Sequence, residues 1–302
     1  MIFLFLDIYY ADAIESTNFF KDYIIPILTG ITIPFVIFLF TIWNEEYKKL
    51  LDRYHLTESL YYKNLEIIES VKDCKSKIAK NLADLTFDNN IISAYQLNFK
   101  SIKDINQIAF DKFIETFHDK LSGNETFKNE FTIYNNTLTL LLEIPPDYNL
   151  YILENNKENL LVHNELHHLS RELILFTRRK YFEYCDPKSG NGHFYWMKIN
   201  EIVQTIMKVK MNESILEEYY KLKEYLEKKL DPDYFSEDFY NLISLIIDKL
   251  EIIKGNVNDM KENFKDILKV LENSINPIQS IQPNILIDRP NKLHFWKYFS
   301  NK

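Results

Sequence analysis

Glycine and cysteine are scarce in this chain, and each scarcity excludes a class of protein. There are 5 glycines against 20 tyrosines and 22 phenylalanines, a balance that favours helices over a sheet of many strands. The two cysteines, Cys74 and Cys185, lie far apart and indicate neither a disulfide framework nor a zinc knuckle. The net charge of −8 argues against broad phosphate binding, so a nucleic acid partner is not expected.

Charge is absent altogether from Tyr23 to Trp43, which reads YIIPILTGITIPFVIFLFTIW. As a helix with a rise of 1.5 Å per residue, this segment is about 30 Å long, which matches the hydrocarbon core of a bilayer. Tyrosine and tryptophan at its two ends are typical of the membrane interface. We therefore predict a transmembrane helix over residues 23–43, preceded by a short extracytoplasmic tail over residues 1–22.

The basic residues around this segment predict its orientation. Lys21 is the only basic residue before it, whereas Lys48, Lys49, Arg53 and Lys63 follow within twenty residues. The positive-inside rule then places the N-terminus outside and the C-terminus in the cytoplasm. The expectation is a single-pass protein of the cell inner membrane, with the lipid bilayer as its first partner.

Three residues that alter helix packing recur inside the predicted membrane helix. Pro26, Gly30 and Pro34 are spaced by four, which places them along one side of the helix. A notch of this kind allows close approach of another helix. The alternative is that proline and glycine are simply commoner in membrane helices than in soluble ones.

Residues 44–87 contain no proline or glycine, and their apolar pattern predicts a long membrane-proximal helix with coiled-coil character. A polar residue in the seam, Asn64, would fix its register. The apolar stripe is wider than a zipper seam, so a helix packed on its own domain stays open as the alternative to a homo-oligomer. The candidate oligomerisation residues are Leu50, Tyr54, Tyr61, Asn64, Ile68, Ile78 and Leu82.

The remainder predicts an α-helical cytoplasmic bundle domain over residues 88–275 and an irregular tail over residues 276–302. The segment from Phe127 to Ile144 is compatible with a helix or a strand, and Pro145 and Pro146 predict its end. Gly255 predicts a break between the last two helices. A long helix from Lys157 to Tyr184 carries apolar residues along its length: Leu160, Leu161, Leu166, Leu169, Leu173 and Phe176.

The stretch HNELHH, from His163 to His168, contains three histidines and is the part of the sequence in which side chains of possible functional chemistry are most concentrated. On a helix His163 and His167 share a face, the arrangement of two metal ligands four residues apart, and His193 or Cys185 is the candidate third ligand. The alternative is a polar helix face whose histidines bond to water or carboxylates.

A second pattern is E-x-x-H, which occurs at Glu115/His118 and at Glu165/His168. Two such motifs, together with glutamates from two further helices, hold the metals of di-iron bundles. Chance alone gives a comparable number of matches in a chain of this composition, and no pair of partner glutamates stands out.

The segment RPNKLH places Arg289 and His294 at an R-x4-H spacing. In these six residues the chain resembles the HEPN-type ribonucleases, which are helical and often toxic. The resemblance implies a metal-free nuclease in which Arg289 and His294 are the catalytic pair.

No nucleophile elbow, dinucleotide fingerprint or kinase signature is present, so a non-enzymatic function is favoured and no cofactor is expected. The main hypothesis is a membrane-anchored helical interaction or sensing module that recruits an unidentified cytoplasmic protein. One alternative is a membrane effector with the layout of bacterial anti-phage, abortive-infection-like proteins, acting through its transmembrane segment. The other is a metal-dependent or HEPN-like nuclease or hydrolase.

Overall fold

The computed structural model describes residues 20–108, 110–186, 190–209, 211–229 and 234–290, and within these residues every regular element is a helix. The prediction of a mainly α protein is confirmed. A π-helical turn, Phe20–Ile24, leads directly into the first α-helix. The α-helices are α1 (Ile25–Asp84), α2 (Lys100–Asn106), α3 (Phe110–Gly123), α4 (Glu125–Glu183), α5 (Asn191–Ile206), α6 (Glu213–Lys228) and α7 (Glu237–Ile285).

Helix α1 joins the predicted membrane segment to the predicted membrane-proximal helix without a break. It has 60 residues and is therefore about 90 Å long. Its most apolar window has a mean hydropathy of 2.3, and none of that window is buried. By length and composition this long N-terminal helix is apolar enough to cross a membrane.

Contacts divide the chain into two units, one formed by residues 1–62 and 283–302 and the other by residues 63–282. In the first unit, the ring of Trp43 lies 5.2 Å from that of Phe40 and 6.0 Å from that of Tyr47. One turn is further fixed by Thr57, whose hydroxyl donates to the carbonyl oxygen of Tyr54 across 2.9 Å.

The second unit contains a core of aromatic and aliphatic side chains contributed by several helices. Trp196 of α5 is 1% exposed, and its ring lies 6.2 Å from Phe176 of α4 and 5.3 Å from Phe239 of α7. The ring of Tyr148 on α4 lies 5.9 Å from Phe264 of α7. Burying one such side chain contributes about 1.5–3 kcal/mol, so these contacts fix α4, α5 and α7 against each other.

Helix α4 continues through Pro145 and Pro146, so the prediction that these prolines end the segment from Phe127 to Ile144 is wrong. The same helix shows that Phe127 to Ile144 is helical. Asn124 caps its start, since its side chain accepts a hydrogen bond from the backbone N–H of Phe127 at 3.1 Å. Buried residues on both sides of the prolines, among them Leu141, Ile144, Tyr148 and Ile152, offset the lost backbone bonds.

Helix α7 likewise continues through Gly255 and ends at Ile285, beyond the predicted start of an irregular tail at residue 276. The predicted break at Gly255 is therefore wrong. Glycine costs a helix about 1 kcal/mol relative to alanine, whereas the buried side chains of Ile253, Val257 and Ile278 hold α7 in place along its length. Residues 286–290 are non-helical, and residues 291–302 lie outside the described part of the chain.

Candidate functional site

Polar contacts hold the non-helical connection between α1 and α2, residues 85–99, against α4. Asn156 of α4 pairs with the backbone of Ile92 in both directions: its Oδ1 accepts from the Ile92 N–H at 3.1 Å, and its Nδ2 donates to the Ile92 carbonyl at 2.7 Å. Phe87 and Leu97 of this connection are buried. The two hydrogen bonds of the Asn156 side chain satisfy backbone groups of Ile92 that have no partner within a helix. The connection is therefore a fixed part of the second unit.

A chain of three asparagines continues this contact toward α7. Asn159 Nδ2 donates to the carbonyl oxygen of Asn90 at 2.9 Å, and Asn256 Nδ2 donates to Asn159 Oδ1 at 2.9 Å. Asn159 is fully buried and Asn90 is 1% exposed. A buried amide without a partner is costly, and these bonds explain how polar residues are tolerated at the meeting point of the connection, α4 and α7.

His163, a predicted metal ligand, belongs to the same set of contacts. Its Nε2 lies 2.9 Å from Asn90 Oδ1, which can only accept, so Nε2 carries the hydrogen and donates it. The His163 side chain is half-buried, and this burial lowers the pKa of its imidazole because the charged form loses hydration. His163 thus fixes the connection between α1 and α2.

The other two predicted metal ligands lie elsewhere. His167 is exposed one turn further along α4. His193, on α5, is half-buried and donates from Nδ1 to the carbonyl oxygen of Tyr184 at 2.9 Å. Across the described ranges, no group of three or more His, Cys, Asp or Glu side chains is placed to hold a metal ion.

Neither E-x-x-H pair converges on a shared centre. Glu115 and His118 are exposed on α3. On α4, Glu165 forms an ion pair with Lys249 of α7, and His168 is exposed. Of the HEPN-like pair, Arg289 lies in the non-helical segment after α7, and His294 lies outside the described residues.

The predicted oligomerisation residues divide into two groups. Leu50, Tyr54 and Tyr61 are half-buried in the first unit. In the second unit Ile68 and Ile78 are buried and Leu82 is half-buried. Asn64, the predicted register residue, accepts a hydrogen bond from the Tyr134 hydroxyl of the same chain at 2.6 Å. This part of α1 shows the packing expected of a helix on its own domain.

The predicted helix-packing notch is exposed. Pro26, Gly30 and Pro34 all lie on the uncovered surface of α1, and a Cβ atom added at Gly30 would meet no other atom within 4 Å. The hydroxyl of Thr29 donates to the carbonyl oxygen of Ile25 at 2.8 Å. Nothing in the described chain covers this side of the helix.

Four exposed leucines lie on one side of α4 in the second unit. Leu150, Leu153, Leu160 and Leu161 are 56%, 67%, 53% and 56% exposed. At 100° per residue all four fall on one side of the helix, and we refer to them as the leucine stripe. Exposed Lys157 lies on the same side of the helix, between the pair Leu150 and Leu153 and the pair Leu160 and Leu161. Exposed apolar side chains grouped on one side of a helix are a mark of interaction sites.

The apolar pattern of the sequence includes Leu160 and Leu161 but does not distinguish an exposed side of the helix from a buried side. Their neighbours Asn159, Val162 and Leu166 are buried in the second unit, so α4 has apolar residues on both its covered and its uncovered sides. Leucines on more than one side of the helix are the feature of the sequence that indicates this second apolar side.

Two open surface depressions accompany these features. One is lined by Tyr220, Lys221, Lys223, Glu224 and Glu227 of α6. The other lies between the start of the α1–α2 connection, α6 and α7, and is lined by Thr86, Phe87, Asp88, Asn212, Ser214 and Lys261.

No family model matches the chain, and comparison with curated proteins and with solved structures found no match.

Proposed function

We propose that this protein is a membrane-anchored helical module that binds a cytoplasmic protein at the leucine stripe and holds it at the inner membrane. The N-terminal part of α1 is the anchor, with the N-terminus outside and the second unit in the cytoplasm. The observation that carries the proposal is the exposure of Leu150, Leu153, Leu160 and Leu161, each more than half accessible to solvent.

The energetics of the stripe support a binding role. Fully burying a leucine contributes about 1.5–3 kcal/mol, and roughly half of that remains to be gained at each of these four positions. Covering the stripe therefore provides about 3–6 kcal/mol, before the costs of association. Four neighbouring residues with this gain resemble the central contacts that dominate protein interfaces.

The anchoring half of the proposal is supported by the composition of α1. The apolar window carries no buried residue, and the exposed side chains within it include Ile31, Phe35, Phe38 and Phe40, each more than half accessible. In a bilayer these apolar side chains contact lipid instead of water, so they need no protein partner. The cluster of Lys48, Lys49 and Arg53 after the window supports a cytoplasmic second unit.

The test identifies what contacts the stripe and where that protein resides. A photo-crosslinking amino acid is placed at Leu153 of the full chain in growing cells, with Leu245, a 48% exposed leucine on α7, as the matched control position. We expect one cytoplasmic protein to be crosslinked from position 153 and not from position 245.

The second step follows the crosslinked protein by fractionation. With the unaltered chain we expect it in the membrane fraction, and with Leu153→Glu/Leu160→Glu we expect it in the soluble fraction, whereas Leu245→Glu leaves it at the membrane. Circular dichroism of the purified variants checks that the fold is intact. A partner whose distribution is the same with all three chains would contradict recruitment, and release of the unaltered chain by alkaline carbonate would contradict anchoring.

A further inference from the structure

The acidic residues of α4 lie in one row beside the leucine stripe. Six carboxylates occur between positions 143 and 172, and all are exposed. Their spacings of four and seven residues place them within about 60° of each other around the helix, on one edge of the leucine stripe. We define this acidic row as Glu143, Asp147, Glu154, Glu158, Glu165 and Glu172.

Little positive charge offsets this row. Between positions 143 and 172 the only cationic side chains of α4 are Lys157, which lies within the leucine stripe, and Arg171. From the neighbouring helix α7, Lys249 pairs with Glu165. The structure shows no ion pair for the other five members of the row within the part of the chain that it describes. The row is about 44 Å long and extends beyond the leucine stripe at both ends.

We infer that the occupant of the leucine stripe is a basic amphipathic helix of the partner protein. Its apolar face covers Leu150, Leu153, Leu160 and Leu161, and lysine or arginine residues along one of its edges face the acidic row. This is the helix-on-helix mode of recognition, in which apolar residues at helical spacing supply affinity and flanking charges select the partner. The inference rests on the proposed function, since it names the partner class for the same surface.

Charge favours a basic helix over two other possible occupants of the leucine stripe, a second copy of this chain and an anionic lipid surface. A second copy of this chain would present six carboxylates and two cations on the same surface, so it is not the electrostatic complement of the first. An anionic lipid surface would be repelled by the row. A helix with cations on one edge gains from the row at long range, which raises its association rate at low ionic strength.

Three synthetic peptides test the inference. All have 18 residues and helical propensity; the first combines a leucine face with lysines along one edge, the second carries glutamate in place of every lysine, and the third keeps the lysines but has serine in place of every leucine. Binding to the full chain in phosphatidylcholine nanodiscs is measured by titration calorimetry, with empty nanodiscs as the blank. We expect binding of the first peptide alone, weakening at least about tenfold between 50 and 500 mM salt.

Variants of the chain test whether the leucine stripe and the acidic row each contribute to peptide binding. Leu153→Ser/Leu160→Ser removes binding of the lysine peptide. Neutralising the row with E143Q/E154Q/E158Q/E172Q weakens it by about tenfold or more, whereas the matched set E69Q/E217Q/E237Q/E262Q, with the same change in net charge on other helices, leaves it unchanged.

Several results overturn the inference. Equal binding of the lysine and glutamate peptides, no binding of either, or binding that survives Leu153→Ser/Leu160→Ser each contradicts a basic helix at the stripe. Light scattering that shows an oligomer dissociating in Leu153→Ser/Leu160→Ser assigns the stripe to a second copy instead. These outcomes are distinct from failure of the proposed function, which is decided by whether the natural partner leaves the membrane.

Discussion

The hydroxyl of Tyr134 donates a hydrogen bond to Oδ1 of Asn64 across 2.6 Å, and both side chains are buried. This bond joins α1 to α4 within the second unit. Burial raises the pKa of the Tyr134 phenol, so the hydroxyl remains protonated and able to donate across the physiological range. The side-chain carbonyl oxygen of this polar residue in the apolar stripe of α1 therefore has its hydrogen-bond donor within the same chain.

Replacing Tyr134 or Asn64 tests whether Asn64 bonds within one chain or fixes the register of a coiled coil between chains. Tyr134→Phe leaves a buried amide oxygen without a donor, and we expect it to lower the free energy of unfolding by about 1–3 kcal/mol. In a coiled-coil seam, Asn64→Leu changes the number of chains; here we expect it to destabilise the fold at an unchanged mass. Urea denaturation and light scattering measure the two quantities, and a change of mass with Asn64→Leu would contradict the assignment.

A second prediction concerns stability in alkali. Burial raises the pKa of Tyr148 to about 12, from 10.0 in a solvated tyrosine. Between these values the unfolded chain releases a proton that the folded chain keeps, so the contribution of Tyr148 to stability is complete below pH 10 and is lost as the pH rises toward 12. Denaturation in urea at pH 9 to 11.5 measures the slope.

Tyr148→Phe removes the titrating hydroxyl and also the acceptor of a 2.6 Å bond from Asn81. We therefore expect a lower free energy of unfolding at neutral pH together with a shallower decline above pH 10. Tyr62→Phe, which changes an exposed tyrosine, is the control and leaves the decline as it is. An unaltered slope in Tyr148→Phe would show that other groups control the alkaline transition.

A third prediction concerns the stability of the fold at acid pH, to which His163 contributes. Burial lowers the pKa of its imidazole below 6.5, so the unfolded chain takes up a proton at a higher pH than the folded chain. The stabilising contribution is present above pH 6.5 and is lost as the pH falls through the folded-state pKa. His163→Gln keeps a donor for Asn90 and has no such titration, so we expect a smaller loss of stability between pH 7 and pH 5.

His167→Gln is the matched control for this variant, because His167 is exposed on the same helix. It should retain the full decline between pH 7 and pH 5. Thermal unfolding followed by circular dichroism measures both variants. Equal declines in His163→Gln and the unaltered chain would show that His163 does not cause the effect.

Two glycines inside helices predict opposite effects of the same substitution. A Cβ atom at Gly192 would lie 2.7 Å from Cε1 of Tyr234 and 2.8 Å from Cδ1 of Tyr184, whereas one at Gly255 meets nothing within 4 Å. We expect Gly192→Ala to lower the free energy of unfolding by about 1–3 kcal/mol through overpacking. Gly255→Ala should raise it by about 0.5–1 kcal/mol, since alanine has the better helix propensity. Chemical denaturation measures both; the same sign for the pair would contradict the packing at Gly192.

The sequence by itself determined that the chain is mainly helical and that a long helix near its N-terminus starts with an apolar segment. Scarce glycine, an uncharged segment from Tyr23 to Trp43 and the absence of helix breakers up to Phe87 are properties of neighbouring residues. Helix propensity and hydropathy act over the same short distances. These features therefore follow from residue order alone, without any contact between helices.

Only the tertiary structure decided that α4 continues through Pro145 and Pro146, that Asn64 pairs with Tyr134, and that Leu153 is exposed while Leu166 is covered. Each outcome depends on residues far apart in the sequence. The local cost of a proline is offset by packing on both sides of it, and an apolar side chain is buried only where another helix covers it. Residue order specifies which faces of a helix are apolar, whereas the arrangement of the helices selects the face that stays free to bind.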